Sequence, residues 1–150
     1  MIERKIVFVD MDGVLCDFMK DYNKLISKDN PYPQSRINFF KNLEPYSDAI
    51  ASYRELEEYF DVWILTRPSV LNPLCYMEKR MWVEEHLGIE TCHKLIISPD
   101  KSLLLGDYLI DDMPTDNIGN VLNFQGEHIH FGTESAPNWE AVLNYLINKV

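Results

Sequence analysis

Three observations predict an α/β fold with a mainly parallel sheet. Short apolar, β-rich runs alternate along the chain with segments whose apolar residues fall near helical spacing. Runs such as Ile6-Val7-Phe8-Val9 and Val62-Trp63-Ile64-Leu65 show no polar alternation, as strands buried on both faces require. The first four runs are each followed by polar residues, which puts a polar rim along one edge of the sheet.

Residues 5–9 form the first strand. Residues 15–27 follow as a helix, with Leu15, Phe18, Met19, Tyr22, Leu25 and Ile26 near helical spacing, and Asn30-Pro31-Tyr32-Pro33 breaks it. Residues 34–46 are mixed and aromatic, with Phe39, Phe40 and Tyr46. Ser47 is the expected N-cap of a helix to about Tyr59, striped by Ala49, Ile50, Tyr53, Leu56 and Phe60. Residues 62–65 are the second strand, ending at Thr66-Arg67-Pro68. Residues 75–87 read as a helix closed by Gly88. Residues 95–97 and 108–110 are the third and fourth strands, and either 121–124 or 128–131 supplies a fifth. Asn138 caps a last helix through Trp139, Val142, Leu143 and Leu146. About 50 residues separate the first two strands, more than a crossover needs. A single domain over 1–150 is expected, with a small helical cap inserted after the first strand at about 18–46.

Composition narrows the function classes. The 150 residues hold 14 Lys and Arg against 24 Asp and Glu, a formal charge of −10. Residues 102–150 carry seven acids and one base, Lys149. A protein that neutralises many phosphates needs a basic face, so nucleic acid polymers and anionic membranes are poor partners. A small anion is not excluded, because one pocket can be locally positive. The apolar run before Asp10 has four residues, too short for a signal or a membrane span. Cys16, Cys75 and Cys92 are odd in number with no C-x-x-C pair, and read as reduced thiols in a cytoplasmic protein.

The chemistry sits at the strand ends. Ligands of open parallel sheets bind beyond the carboxyl ends of the strands. There the sequence places Asp10-Met11-Asp12-Gly13, then Thr66, then Ser98-Pro99-Asp100-Lys101, then Asp111-Asp112. Two aspartates before a glycine can be an ordinary turn, and an Asp-Asp pair a solvated loop. Four carboxylates, a hydroxyl and an ammonium at one rim are harder to explain that way. Crowded carboxylates raise one another's pKa unless a cation sits among them. Oxygen ligands of this kind suit Mg²⁺ and offer nothing that zinc prefers. A metal, a lysine and an available carboxylate nucleophile imply phosphoryl transfer through an aspartyl phosphate.

These stretches resemble the four motifs of the haloacid dehalogenase superfamily of phosphatases, in the family's order, over residues 6–112. Within it the closer similarity is to the 5′(3′)-deoxyribonucleotidases. It is carried by Asp10-Met-Asp-Gly-Val-Leu-Cys-Asp-Phe18, Asn38-Phe-Phe-Lys-Asn-Leu-Glu-Pro45, Tyr76-Met-Glu-Lys-Arg-Met-Trp-Val-Glu-Glu-His-Leu-Gly88 and Asp100-Lys-Ser-Leu-Leu-Leu-Gly-Asp-Tyr-Leu-Ile-Asp-Asp112. The resemblance implies a three-layer Rossmann-type core and a Mg²⁺-dependent phosphomonoesterase for (deoxy)nucleoside monophosphates. Asp10 would be the nucleophile and a metal ligand. Asp12 would be the general acid and base, its main-chain carbonyl on the metal. Asp111 would bind the metal and Asp112 hold metal-bound water. Thr66 and Lys101 would contact phosphate; Lys79 matches a phosphate-binding lysine of that family, and the alternative is a snorkelling lysine on an amphipathic helix. Phe18 matches an aromatic against the nucleoside, with Tyr22, Phe39 and Phe40 able to wall the same pocket.

Some positions depart from the family. Val14 stands where many superfamily phosphatases have Thr. Arg67 stands where the animal nucleotidases have Ser, and either offers a further phosphate contact or pairs with a surface acid. Pro99 stands where they have Arg, and the loss of that guanidinium leaves sugar and phosphate-position preference open. His128 and His130 share a face of a candidate strand but lack further metal ligands. Asp107 could orient Lys101. Three other readings stay open: a phosphatase for a sugar phosphate or phospho-amino acid, a phosphoaspartate signalling domain, and an inactive binding module. The partner is a small phosphomonoester, and a homodimer is left open.

Overall fold

The computed structural model describes residues 2–114 and 116–150. Five strands, β1 (Ile6–Val9), β2 (Asp61–Thr66), β3 (Leu95–Ile97), β4 (Tyr108–Asp111) and β5 (Glu127–His130), form one sheet in the order β3-β2-β1-β4-β5. Every pair is parallel, and Val9 at the end of β1 sits between Ile64 and Ile110. The strands at the centre are buried on both faces, which is why they read as unbroken apolar runs. Of the two candidates for the fifth strand, the later one forms. The earlier, 121–124, is instead the end and C-cap of a 3₁₀ segment, Ile118–Asn123, and the residues that lead into it, Gly119 and Asn120, take left-handed φ of 75° and 57°.

Helices α2 (Ala49–Tyr59), α3 (Cys75–Leu87) and α5 (Trp139–Ile147) contribute Tyr53, Leu56, Trp82, Val83, Trp139 and Leu146 to one apolar cluster with Val7, Val9, Val62, Ile64 and Ile110 of the sheet. The opposite-pointing residues Phe8, Leu65 and Leu109 pack with Val121 and Phe124. The third layer is therefore made of 3₁₀ segments where a further α-helix would be usual. A short helix, α4 (Ile89–Cys92), follows Gly88, too brief to leave a periodic signal.

Local chemistry moves two helix starts. The first helix, α1, covers Phe18–Leu25 rather than 15–27. Met11 O accepts from the backbone N–H groups of Val14, Leu15 and Cys16, so the chain before Asp17 is a tight turn. Asp17 then caps the helix by accepting from Lys20 N at 3.2 Å. The proposed stripe splits accordingly: Leu15 is core, whereas Met19, Leu25 and Ile26 are exposed. Ser47 is not the cap of α2. Asp48 holds that position, with no hydrogen bond from its side chain. Between residues 18 and 46 the chain forms α1, a 3₁₀ turn at Pro33–Ser35 and further turns. Trp82 ties this segment to α3 by donating from Nε1 to Leu43 O at 2.7 Å.

Asn138 caps α5 as expected, accepting from Ala141 N at 2.9 Å. Asn138→Ala should lower stability by about 1 kcal/mol, read as a lower urea midpoint at unchanged m-value.

Candidate active site

Asp10 continues the line of β1 by one residue, its N–H donating to Ile110 O at 2.9 Å. The turn that follows depends on Gly13, at φ +82°. A Cβ there would lie 1.9 Å from Asp112 Oδ2, so the first and fourth motifs meet only because residue 13 has no side chain. Gly13→Ala should cost at least about 1–2 kcal/mol in backbone strain and displace the Asp112 carboxylate. The expected readout is a lower melting temperature together with a large loss of metal affinity.

Three carboxylates converge at this point. One oxygen each from Asp10, Asp111 and Asp112 lie within 4.8 Å of one another. Lys101 Nζ bridges two of them, at 3.0 Å from Asp10 Oδ1 and 2.5 Å from Asp111 Oδ2. Met11 N donates to Asp10 Oδ1 and Met113 N to Asp111 Oδ1, both at 2.8 Å. Lys101 reaches inward from a 3₁₀ turn, Lys101–Leu103, whose first turn is capped by Asp100 accepting from Ser102 N at 2.9 Å. Asp100 also accepts from Asn120 Nδ2, which fastens the 118–123 segment beside the lysine.

The electrostatics follow from crowding. Burial, then the neighbouring Asp111, raise the pKa of Asp10 against the opposing pull of Lys101. Burial, with Asp10 and Asp111 adding to it, pushes Asp112 up to about 8. Burial alone would lower Lys101, but Asp10 and Asp111 outweigh it and hold the ammonium above its ordinary value. Three carboxylates beside one ammonium cannot all stay ionised at neutral pH without a further cation, which is what the raised pKa values of Asp10 and Asp112 express. The donors are all oxygens, as a hard divalent cation such as Mg²⁺ requires. The residues present therefore fit a metal of that class. In the side-chain cluster the third carboxylate is Asp112, whereas the Asp12 side chain turns elsewhere.

Asp12 Oδ2 accepts from Lys79 Nζ at 3.0 Å, and Cys16 Sγ lies 3.5 Å from Asp12 Oδ1. Lys79 is fully buried, and its ammonium also donates to Thr66 Oγ1 and to Arg67 O. It lies 5.1 Å from the centre of the Phe40 ring. Lys79 and Thr66 thus form a layer behind Asp12, and neither is among the residues lining the cleft. Arg67 does line it and is exposed. The cleft has a volume of about 300 Å³ and is lined by Asp10, Asp12, Lys101, Asp111 and Asp112 together with the apolar side chains of Phe18, Met19 and Phe40. Phe18 stacks on Tyr22 and meets Phe39 edge-on, with ring centres 5.6 and 5.4 Å apart.

Asp107 does not orient Lys101. Its Oδ2 accepts from Ile6 N at 2.8 Å and clamps the start of β1. Glu78 is a functional neighbour that the sequence reading passed over. It is 2% exposed and accepts from the backbone N–H groups of Asn38, Phe40 and Lys41, so it holds the Phe40 wall against α3. An acid three residues after Cys75 and four before Trp82, on the buried face of a helix, was the available signal.

Comparison with known proteins agrees with this geometry. The family described as 5′ nucleotidase, deoxy (pyrimidine), cytosolic type C matches residues 31–143, a span that includes Thr66, Lys79, Lys101, Asp111 and Asp112. A putative 5′(3′)-deoxyribonucleotidase of Vibrio phage KVP40 is 39% identical over 98% of this chain and 87% of its own. The human cytosolic-type 5′(3′)-deoxyribonucleotidase is 29% identical over 91% of this chain and 78% of its own. A haloacid dehalogenase-like hydrolase from Streptococcus pneumoniae shares the fold, with a TM-score of 0.56 at 15% identity over 97% of this chain and 100% of its own. With the parallel sheet sharing the haloacid dehalogenase-like fold, these matches show that the chain belongs to the 5′(3′)-deoxyribonucleotidase family of nucleotide phosphomonoester hydrolases.

Proposed function

We propose that this protein hydrolyses deoxyribonucleoside monophosphates with Mg²⁺, through a phosphoryl group carried on Asp10. The observation that carries the reading is the convergence of Asp10, Asp111 and Asp112, with Lys101 bridging the first two, in a cleft that Phe18 and Phe40 also line. Asp10 Oδ2, which neither Met11 N nor Lys101 engages, is the attacking oxygen. It forms a bond to phosphorus as the bond to the sugar oxygen breaks, and Asp12 gives that oxygen a proton. Asp12 then takes a proton from water, which attacks phosphorus and releases phosphate and the Asp10 carboxylate. Asp10 and Asp111, with Asp112 beside them and the main-chain carbonyl of Asp12, would hold the metal, which supplies positive charge opposite the phosphate. Lys101 neutralises the charge that builds on the transferring group. Lys79 fixes the Asp12 carboxylate and Thr66 beneath the phosphate, and Arg67 meets it from the exposed side.

The substrate class follows the names of the relatives and the cleft. Phe18, half-buried at the cleft, offers apolar ring surface on which a base can stack, with Phe40 packed behind it. The acidic surface favours a single metal-bridged phosphate over a polymer, and cytoplasmic action follows the cytosolic-type relative. Turnover should be measured over 5′-, 3′- and 2′-monophosphates of ribo- and deoxynucleosides, with sugar phosphates and phospho-amino acids alongside. The highest kcat/KM is expected on deoxyribonucleotides, with activity lost in EDTA and restored by Mg²⁺. Equal kcat/KM on sugar phosphates would move the substrate to another small phosphoester, and turnover without metal would remove the metal from the reading.

A further inference from the structure

Two histidines outside the motifs face the same turn. His128 and His130 project from one face of β5, and their rings lie 5.1 Å apart. His128 Nε2 lies 3.0 Å from Asp111 O, and His130 Nε2 lies 2.9 Å from Asp112 O. A carbonyl oxygen can only accept, so each ring carries a proton on Nε2 and donates it. The two contacts are not equivalent. Asp111 O also accepts from Phe131 N at 3.1 Å in the sheet ladder, so His128 adds a second donor to a satisfied carbonyl. Asp112 lies beyond the end of β4, where the ladder has stopped. There the imidazole of His130 replaces the missing strand neighbour. The turn it holds is a demanding one, since Met113 takes φ 24° and Gly13 leaves no spare room beside the Asp112 carboxylate.

We propose that His128 and His130 are positioning residues for the metal site: they fix the peptide units of Asp111 and Asp112 so that both carboxylates point at Asp10 without a metal to organise them. The inference rests on the metal reading given above. Groups that orient metal ligands from behind commonly change metal affinity by about 10–100-fold when removed. His130 carries the larger share, because only its carbonyl partner lacks a ladder donor. Gln places its amide nitrogen close to where a histidine has Nε2, so His130→Gln keeps the donor and His130→Leu deletes it.

The test is Mg²⁺ and Mn²⁺ affinity of the purified protein by isothermal titration calorimetry, with thermal melting of the metal-free protein beside it. His130→Leu should weaken metal binding by about tenfold or more, His128→Leu by less, and His130→Gln should remain within about threefold of the parent. A role in general folding alone would lower the melting temperature of the leucine variants and leave their metal affinity intact. Affinity within twofold of the parent for a folded His130→Leu would overturn the proposal. Should that variant not fold, a His130→Gln that binds as weakly as Gly13→Ala would overturn it equally. A parent protein that binds no divalent metal would overturn the metal reading itself, a distinct result.

Discussion

Asp10→Asn should reduce kcat by at least about 10⁴-fold, the scale on which loss of a covalent nucleophile is felt. The amide keeps the shape of the carboxylate and can still accept from Met11 N and Lys101, but it has no charge with which to attack phosphorus. The fold should survive. Asp10 is 6% exposed and its ionised form is already disfavoured by burial and by Asp111, so removing its charge relieves repulsion in the cluster. Lys101 loses one partner and keeps the other at 2.5 Å. The melting temperature is therefore expected to stay within a few degrees of the parent or to rise, and far-UV circular dichroism to be unchanged. The parent should be trapped by beryllofluoride in the presence of Mg²⁺, and Asp10→Asn should not. Normal turnover by the variant would place the nucleophile elsewhere.

The sheet was legible because its strands carry their own burial in the sequence. Tyr108-Leu109-Ile110 and Val62-Trp63-Ile64-Leu65 needed no partner information to read as interior strands. Helix ends were legible where one residue decides them, as at Asn138 and Gly88. They were not legible where backbone hydrogen bonding decides. The 11–16 turn delays α1 to Phe18 through three bonds to Met11 O, and no side-chain pattern announces it. Residues 121–124 had the composition of a strand, but the left-handed pair at Gly119 and Asn120 turns the chain across the sheet instead. The arrangement of β3-β2-β1-β4-β5 depends on crossovers and appears only in the folded chain.

The site was legible to the extent that its residues stand at strand ends. Asp10, Thr66, Asp111 and Asp112 are carried to one rim by parallel strands. Lys101 joins them from the segment after β3. What the sequence could not express is which groups face one another. Lys79 could be read as a phosphate contact or as a snorkelling lysine, and only the folded protein shows it fully buried, with its ammonium on Asp12, Thr66 and the Arg67 carbonyl. His128 and His130 looked idle because their partners are backbone carbonyls, and a backbone acceptor leaves no trace in residue identity.

Lys101→Met is the second large expected effect, and it acts on stability and rate together. Lys101 is 2% exposed and is the cation that contacts Asp10 and Asp111, themselves 6% and 3% exposed. Replacing the ammonium by a thioether of similar length leaves two buried carboxylates facing each other. Breaking a buried ion pair by removing one partner typically costs about 3–5 kcal/mol, and kcat should fall by about 10²–10³-fold as transition-state charge loses its neutraliser. The pH dependence has a definite sign. Burial and Asp111 already hold the folded-state pKa of Asp10 above its unfolded value, and loss of Lys101 removes the opposing pull. A carboxylate whose pKa is raised in the folded state destabilises fully above that pKa, and the penalty fades as pH falls through it towards the unfolded value. The stability deficit of Lys101→Met relative to the parent should therefore shrink from pH 8 to pH 5. Excess Mg²⁺ should also shrink it at pH 8, because without the Lys101 ammonium the carboxylates hold the cation more tightly than in the parent, and a cation bound only by the folded state stabilises that state in proportion to its affinity. Urea unfolding of both proteins across this pH range, with and without Mg²⁺, measures each term. A deficit that stays constant with pH and metal would mean that Lys101 acts through packing of its side chain rather than through its charge on Asp10 and Asp111.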